Sequence, residues 1–167
     1  MHDELTRVDM EKLREELKYR ETELMPRILE DVKTARSFGD LSENFEYQAA
    51  KQEQRKNMSR IRYLKQMLAS AVVIDAGSPE DVAGLFDTVT LYMEEDQEEM
   101  TVRFVTTLRQ NALTGLISKE SPLGQAVLGH RTGERVYVRV SDDYGYWVTI
   151  RAIAKGQDDA SLNISAY

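Results

Sequence analysis

The chain contains no cysteine. Disulfides, thiolate metal sites and cysteine nucleophiles are therefore excluded, and the pattern fits a cytoplasmic protein. It also lacks any apolar run of about 18 residues, so no membrane-spanning helix, and no membrane partner, is expected. Its first residues, Met1-His2-Asp3-Glu4, have neither the basic nor the apolar region of a secretion signal. The two histidines, His2 and His130, lie too far apart in sequence to suggest a metal pair. There is no phosphate-binding glycine loop and no nucleophile elbow.

What is present is an ordinary globular composition over 167 residues, enough for one or two domains with a real core. The net charge of -7 is unevenly placed: residues 1–74 are neutral, and residues 75–167 carry all of it. Bulk charge therefore does not favour coating DNA, and the second half is suited to a basic or apolar protein surface.

Two periodicities divide the chain. Over about residues 8–37, Met10, Leu13, Leu17, Leu24, Ile28, Val32 and Ala35 recur at steps of three, four and seven, one face of a helix. Pro26 interrupts this run, and a kink or local irregularity is expected there. Over about residues 43–73, Tyr47, Ala50, Ile61, Leu64, Leu68 and Ala71 form a second seam, with Gln54 and Asn57 at polar positions within it. A short connection through Gly39 forces the two helices antiparallel. Thirty helical residues reach roughly 45 Å. After Asp75-Ala76-Gly77-Ser78-Pro79, a linker by its turn chemistry, the pattern becomes strand-like. Strands are expected at 88–93, 101–108, 134–140 and 146–154, with Phe104 and Trp147 in their core. A short helix is expected after Ser121, with Pro122 in its first turn and Gly129 at its end. The fold class is α+β: an N-terminal antiparallel coiled-coil hairpin over 1–75, tip at 39–46, and a C-terminal antiparallel sheet domain with one short helix over 80–167.

The chemistry concentrates at the tip, Gly39-Asp40-Leu41-Ser42-Glu43-Asn44-Phe45-Glu46-Tyr47. Carboxylates are hard oxygen donors suited to Mg²⁺, but one or two on a hairpin cannot enclose the ion. They can complete the coordination of an ion held elsewhere, Asp40 as a ligand and Glu43 holding or deprotonating a water. Asp40-x-x-Glu43 also matches a capping box, and on this short pattern alone the cap is the commoner reading. Asp40 and Ser42 are both cap candidates. Lys33 and Arg36 precede the tip; Lys51, Arg55 and Lys56 follow it. They fit phosphate contacts, but on the basic residues alone a salt-bridged helix surface with Glu30, Asp31 and Glu53 is the commoner reading.

Two blocks of residues resemble the Gre family of bacterial transcript-cleavage factors, nearest the GreA type. The first is Ala35-Arg36, Gly39 to Asn44, Glu46-Tyr47 and Ala50-Lys51. The second is Ile117-Ser118, Ser121 to Gly124, Ala126 and Leu128-Gly129, leading to Gly133 and Val136. The resemblance spans essentially the whole chain. It implies a coiled coil that enters the secondary channel of RNA polymerase, and an FKBP-like domain that docks at the entrance, with Ser121, Pro122, Leu123 and Gly124 as docking residues. It implies that Asp40 and Glu43 help hold a Mg²⁺ shared with the polymerase, with no cofactor bound stably by the factor itself. Asn44, Phe45, Glu46 and Tyr47 would support the tip. Lys51, with Arg36 and Arg55, would steer the RNA 3′ end of a backtracked complex. The factor would act as a monomer and would not itself be an enzyme.

Phe45 departs from the family's usual Ala, Leu85-Phe86-Asp87 from a Phe-Gly-small stretch, and Val105 to Asn111 from Val-Gly and Glu-Ala elements. These departures motivate an alternative, a channel-binding regulator or inhibitor that does not stimulate cleavage. A chaperone or prolyl isomerase would need an aromatic pocket that the sequence does not display.

Overall fold

The computed structural model describes residues 3–39 and 44–165. It divides into two compact units, Met10–Ala71 and a second formed by Met1–Asp9 together with Val72–Tyr167.

The first unit is a helical hairpin. α1 (Arg7–Tyr19) runs through a π-helical turn (Arg20–Leu24) into α2 (Met25–Arg36), and α3 (Phe45–Ser70) returns. The irregularity expected at Pro26 is this turn. Proline has no N–H to give the carbonyl four residues back, and its ring crowds that carbonyl, so the preceding turn widens. Partner numbers rise on one arm as they fall on the other: Arg60 grips Glu16 (Nε–Oε2 2.6 Å), Arg20 Nη1 donates to Asn57 Oδ1 (2.9 Å), and Asn44 reaches Ala35. The arms are therefore antiparallel. Near the tip Ile28, Val32 and Ala50 form an apolar cluster with Leu24 and Tyr47 against it.

The expected seam holds from Tyr47 to Asn57 and again at Leu64, but is displaced by one residue at two positions. Arg60 and Met67 are buried where Ile61 and Leu68, only half-buried, were expected. Arg60 turns inward because Glu16 and Arg20 form a charged layer there. Burial pushes the Glu16 carboxyl up, but hydrogen bonds from Arg60 and Arg20 outweigh it and hold the group below its usual range.

The second unit carries a five-stranded sheet in the order β5-β4-β3-β7-β6. The strands are β3 (Thr88–Met93), β4 (Glu98–Val105), β5 (Leu116–Ser118), β6 (Arg135–Arg139) and β7 (Gly145–Ala154). The sheet is mixed rather than wholly antiparallel, because β5 pairs parallel with β4. Residues 106–115 make this possible: two 3₁₀ turns and Gly115 at φ +75 bring the chain back alongside the strand it has just left. One face of the sheet is core, with Val89, Leu91, Val102, Phe104, Val136, Val138, Val148 and Ile150 under Leu123 and Val127 of α4 (Pro122–Val127). Phe104 is therefore core as expected, whereas Trp147 is not. Side chains alternate along β7, so Val148 facing inward turns Trp147 outward. There it stacks beneath the Arg135 guanidinium (3.9 Å to the ring centre) and against Tyr137.

A further pairing was not anticipated. β1 (Glu4–Leu5) lies parallel to β2 (Val72–Val73), which draws the first residues into the second unit. A boundary placed near residue 75 leaves out this strand.

The two segments of the second unit where the sequence departs from the Gre pattern meet in one place. Phe86, standing where that pattern has glycine, adopts φ +70 while its ring is fully buried. The ring lies 5.2 Å from the guanidinium carbon of Arg109, which belongs to the second departing segment. Arg109 is buried and donates Nε to Asp9 Oδ1 (2.5 Å), and its Nη1 pairs with Asp158 Oδ1 (2.6 Å). The remaining Asp9 oxygen accepts from Thr6 N (3.0 Å) and Thr106 Oγ1 (2.7 Å). Asp87, the third residue of the Phe86 segment, accepts from Lys155 Nζ and Gly156 N. Phe86 thus carries a buried ring at a φ that glycine adopts without strain, and of the polar groups around it Arg109 Nη2 is buried without a hydrogen-bond partner among the described residues.

Candidate functional site

The tip is built by the ends of α2 and α3. α2 stops at Arg36, and Ser37 N and Phe38 N bond back to carbonyls of Lys33, Thr34 and Ala35. Gly39 has φ +106, a conformation that a side chain would strain. α3 begins at Phe45, and its cap is Asn44: Oδ1 accepts from Tyr47 N (3.0 Å). The same side chain donates Nδ2 to Ala35 O (2.6 Å), a carbonyl in the last turn of α2 that also accepts from Phe38 N (3.2 Å). A single asparagine therefore ties both arms together at the apex. The cap of α3 is thus Asn44; the expected cap candidates Asp40 and Ser42, and the Asp40–Glu43 capping box, lie outside the described residues, so neither Asp40 nor Glu43 is placed.

Of the tip-support residues, Tyr47 packs on the apolar cluster with the Arg36 guanidinium carbon 5.8 Å from its ring centre. Phe45 is 87% exposed. Glu46 faces a groove of about 440 Å³ lined by Asp31, Thr34, Ala35, Ala49, Ala50 and Glu53. Lys51 and Arg55 follow Tyr47 at four-residue steps, so they share its side of α3 with Arg36, away from the acidic groove. Lys51 Nζ donates to Gln54 Oε1 (3.0 Å). Among the described residues Arg36, Lys51 and Arg55 form no ion pair, so the expected salt-bridged surface is not built around them. The two flanks of the hairpin thus differ in charge, which single-residue reading of a mixed-charge helix does not reveal.

The expected docking residues sit on α4. Ser121 caps it, Oγ accepting from Gly124 N (3.0 Å), and Pro122 occupies the first turn, exposed. Leu123 and Gly124 are buried, so they shape the helix from within. A methyl group on Gly124 would lie 2.6 Å from Ser118 O and 2.8 Å from Lys119 O, both backbone atoms that cannot rotate away. Gly124→Ala is expected to destabilise this unit by about 1–3 kcal/mol. Denaturant unfolding followed by emission of Trp147, the one tryptophan, reports it. An unchanged midpoint would show that β5 and α4 can part freely.

Comparison with known proteins covers both units. A family model described as "Transcription elongation factor, N-terminal" matches residues 4–73. Another, "Transcription elongation factor, GreA/GreB, C-term", matches residues 78–155. The chain is 37% identical over 154 residues to transcription elongation factor GreA of Oenococcus oeni, covering 92% of this chain and 95% of that one. It is 40% identical over 136 residues to the GreA of Geobacillus kaustophilus, covering 81% and 86%. The crystal structure of GreA factor homolog 1 (Gfh1) of Thermus thermophilus is 29% identical and covers 93% of this chain and 100% of that one, with a TM-score of 0.44. No described helix is long and apolar enough to cross a membrane.

Proposed function

The chain belongs to the GreA/GreB family of transcription elongation factors, and from that footing we propose that it rescues arrested RNA polymerase by stimulating cleavage of backtracked RNA. The hairpin enters the secondary channel and carries Asp40 and Glu43 to the polymerase's own active centre. The observation that best supports this is the construction of the apex. Asn44 bonds to the last turn of α2 and to the first turn of α3, so the two arms that flank residues 40–43 in sequence are tied to each other. Two carboxylates are the right donor type for Mg²⁺ and too few to own it, which suits an ion shared with the polymerase. Such an ion, when bound, polarises a phosphate oxygen and lowers the pKa of water. Asp40 supplies an oxygen ligand; Glu43 orients the attacking water and accepts its proton. Arg36, Lys51 and Arg55 guide the phosphates of the RNA 3′ segment past the tip. α4, through Pro122 and its surroundings, takes part in docking. In this reading the factor is not a free-standing nuclease.

The test is to add the protein to a stalled, backtracked complex of the polymerase from its own organism and follow 3′ cleavage. A clear rise over polymerase alone is expected. No rise would count against the proposal. No rise accompanied by slowed nucleotide addition would favour the non-cleaving channel regulator.

A further inference from the structure

Two aromatic rings stand in water at the apex. Phe45, the first residue of α3, is 87% exposed, and Phe38, just before Gly39, is 65% exposed. They bracket the acidic segment in sequence. Both have anchored backbones: Phe38 N bonds to Ala35 O (3.2 Å), and Phe45 follows the doubly bonded Asn44. Burying either ring against a partner would recover its apolar surface. An exposed ring alone suits a protein wall or a nucleobase. Charge separates these. Tyr47's side of the hairpin presents Arg36, Lys51 and Arg55, without ion-pair partners among the described residues. Phe45, two positions before Tyr47, points to another side of α3 than these cations but stands at the same end of the hairpin, and exposed rings and cations gathered at one end can bind single-stranded nucleic acid together, with bases stacked and phosphates neutralised.

We propose that Phe45, with Phe38, stacks on unpaired bases of the extruded RNA 3′ segment and so makes the factor prefer backtracked complexes over complexes without extruded RNA. This rests on the channel-entry reading above. Stacking tolerates any base, so the preference is for unpaired RNA rather than for a sequence. The acidic residues are left to the metal, while the rings hold the strand.

The experiment measures affinity of the labelled full-length protein for two polymerase complexes, backtracked and not, with divalent metal chelated so that the RNA stays intact. Phe45→Ala is expected to lose about tenfold in affinity for the backtracked complex and nothing for the other. Phe45→Trp should keep the preference. Replacing the extruded nucleotides by abasic ones should reproduce the loss with wild-type protein, and Phe45→Ala should then add none. Equal affinities of Phe45→Ala and wild type for the backtracked complex overturn the proposal. So does an equal loss on both complexes, which would place the ring against the polymerase, or a loss that persists on abasic RNA. Because the readout is binding, a wild-type protein that keeps the preference but stimulates no cleavage would sink the cleavage reading alone.

Discussion

Asp40→Asn is expected to reduce stimulated RNA cleavage by at least about a hundredfold while leaving affinity for polymerase unchanged. The substitution keeps the size of the side chain and one oxygen. It removes the negative charge that makes the group a strong ligand for a hard cation. Glu43→Gln should act similarly, because an amide cannot take a proton from water at neutral pH. Structure sharpens this prediction. Were Asp40 the cap of α3, its loss would cost about 1 kcal/mol of stability. The cap is Asn44, so both variants should melt with the wild type. Cleavage assays on backtracked complexes, paired with thermal melts, separate the two cases. Full activity in both variants would end the assignment of the tip, and lowered melting with intact activity would return Asp40 to a structural role.

Arg109→Met is expected to destabilise the sheet unit by about 3–5 kcal/mol. Methionine fills much of the same volume, but Asp9 would remain as a buried carboxylate without its cation. Asp158 would lose the same partner, and the Phe86 ring would lose the guanidinium beside it. Adding Asp9→Asn should recover part of the loss. The neutral amide no longer needs a counter-charge and can keep an acceptor oxygen for Thr6 N and Thr106 Oγ1. Denaturant midpoints read from Trp147 emission give both values. A single variant as stable as wild type, or a double variant weaker than the single one, would show that the pair is not what holds these segments together.

Much of the architecture was legible because its signals are local. The helix face from Leu24 to Ala35 repeats every three to four residues, and the Ser121-Pro122 start of α4 is a cap and a proline side by side. Strands β3 and β7 were found within a residue of their ends for the same reason. The cap at Asn44 was missed because Asp40, Ser42 and Asn44 are all good cap residues, and only the start of α3 chooses among them. Ile61 was misplaced because Arg60, paired with Glu16 in a charged layer, takes the inward position beside it. Trp147 was assigned to the core on hydrophobicity, although period-two alternation with Val148 sets its face.

From the sequence alone come the division into a helical half and a sheet half, the acidic segment between two helices, and the family to which these belong. Each depends on residues within a few positions of one another, where backbone geometry dictates what can meet. Tertiary structure decided the rest: the pairing of β1 with β2, the parallel run of β5, the asparagine that braces the apex, and the burial of Arg109 between Asp9 and Asp158. The strand pairing and the buried ion pairs join residues tens of positions apart. No local period encodes such a meeting, and the need to pair every buried charge and backbone group is satisfied only once the chain has closed on itself.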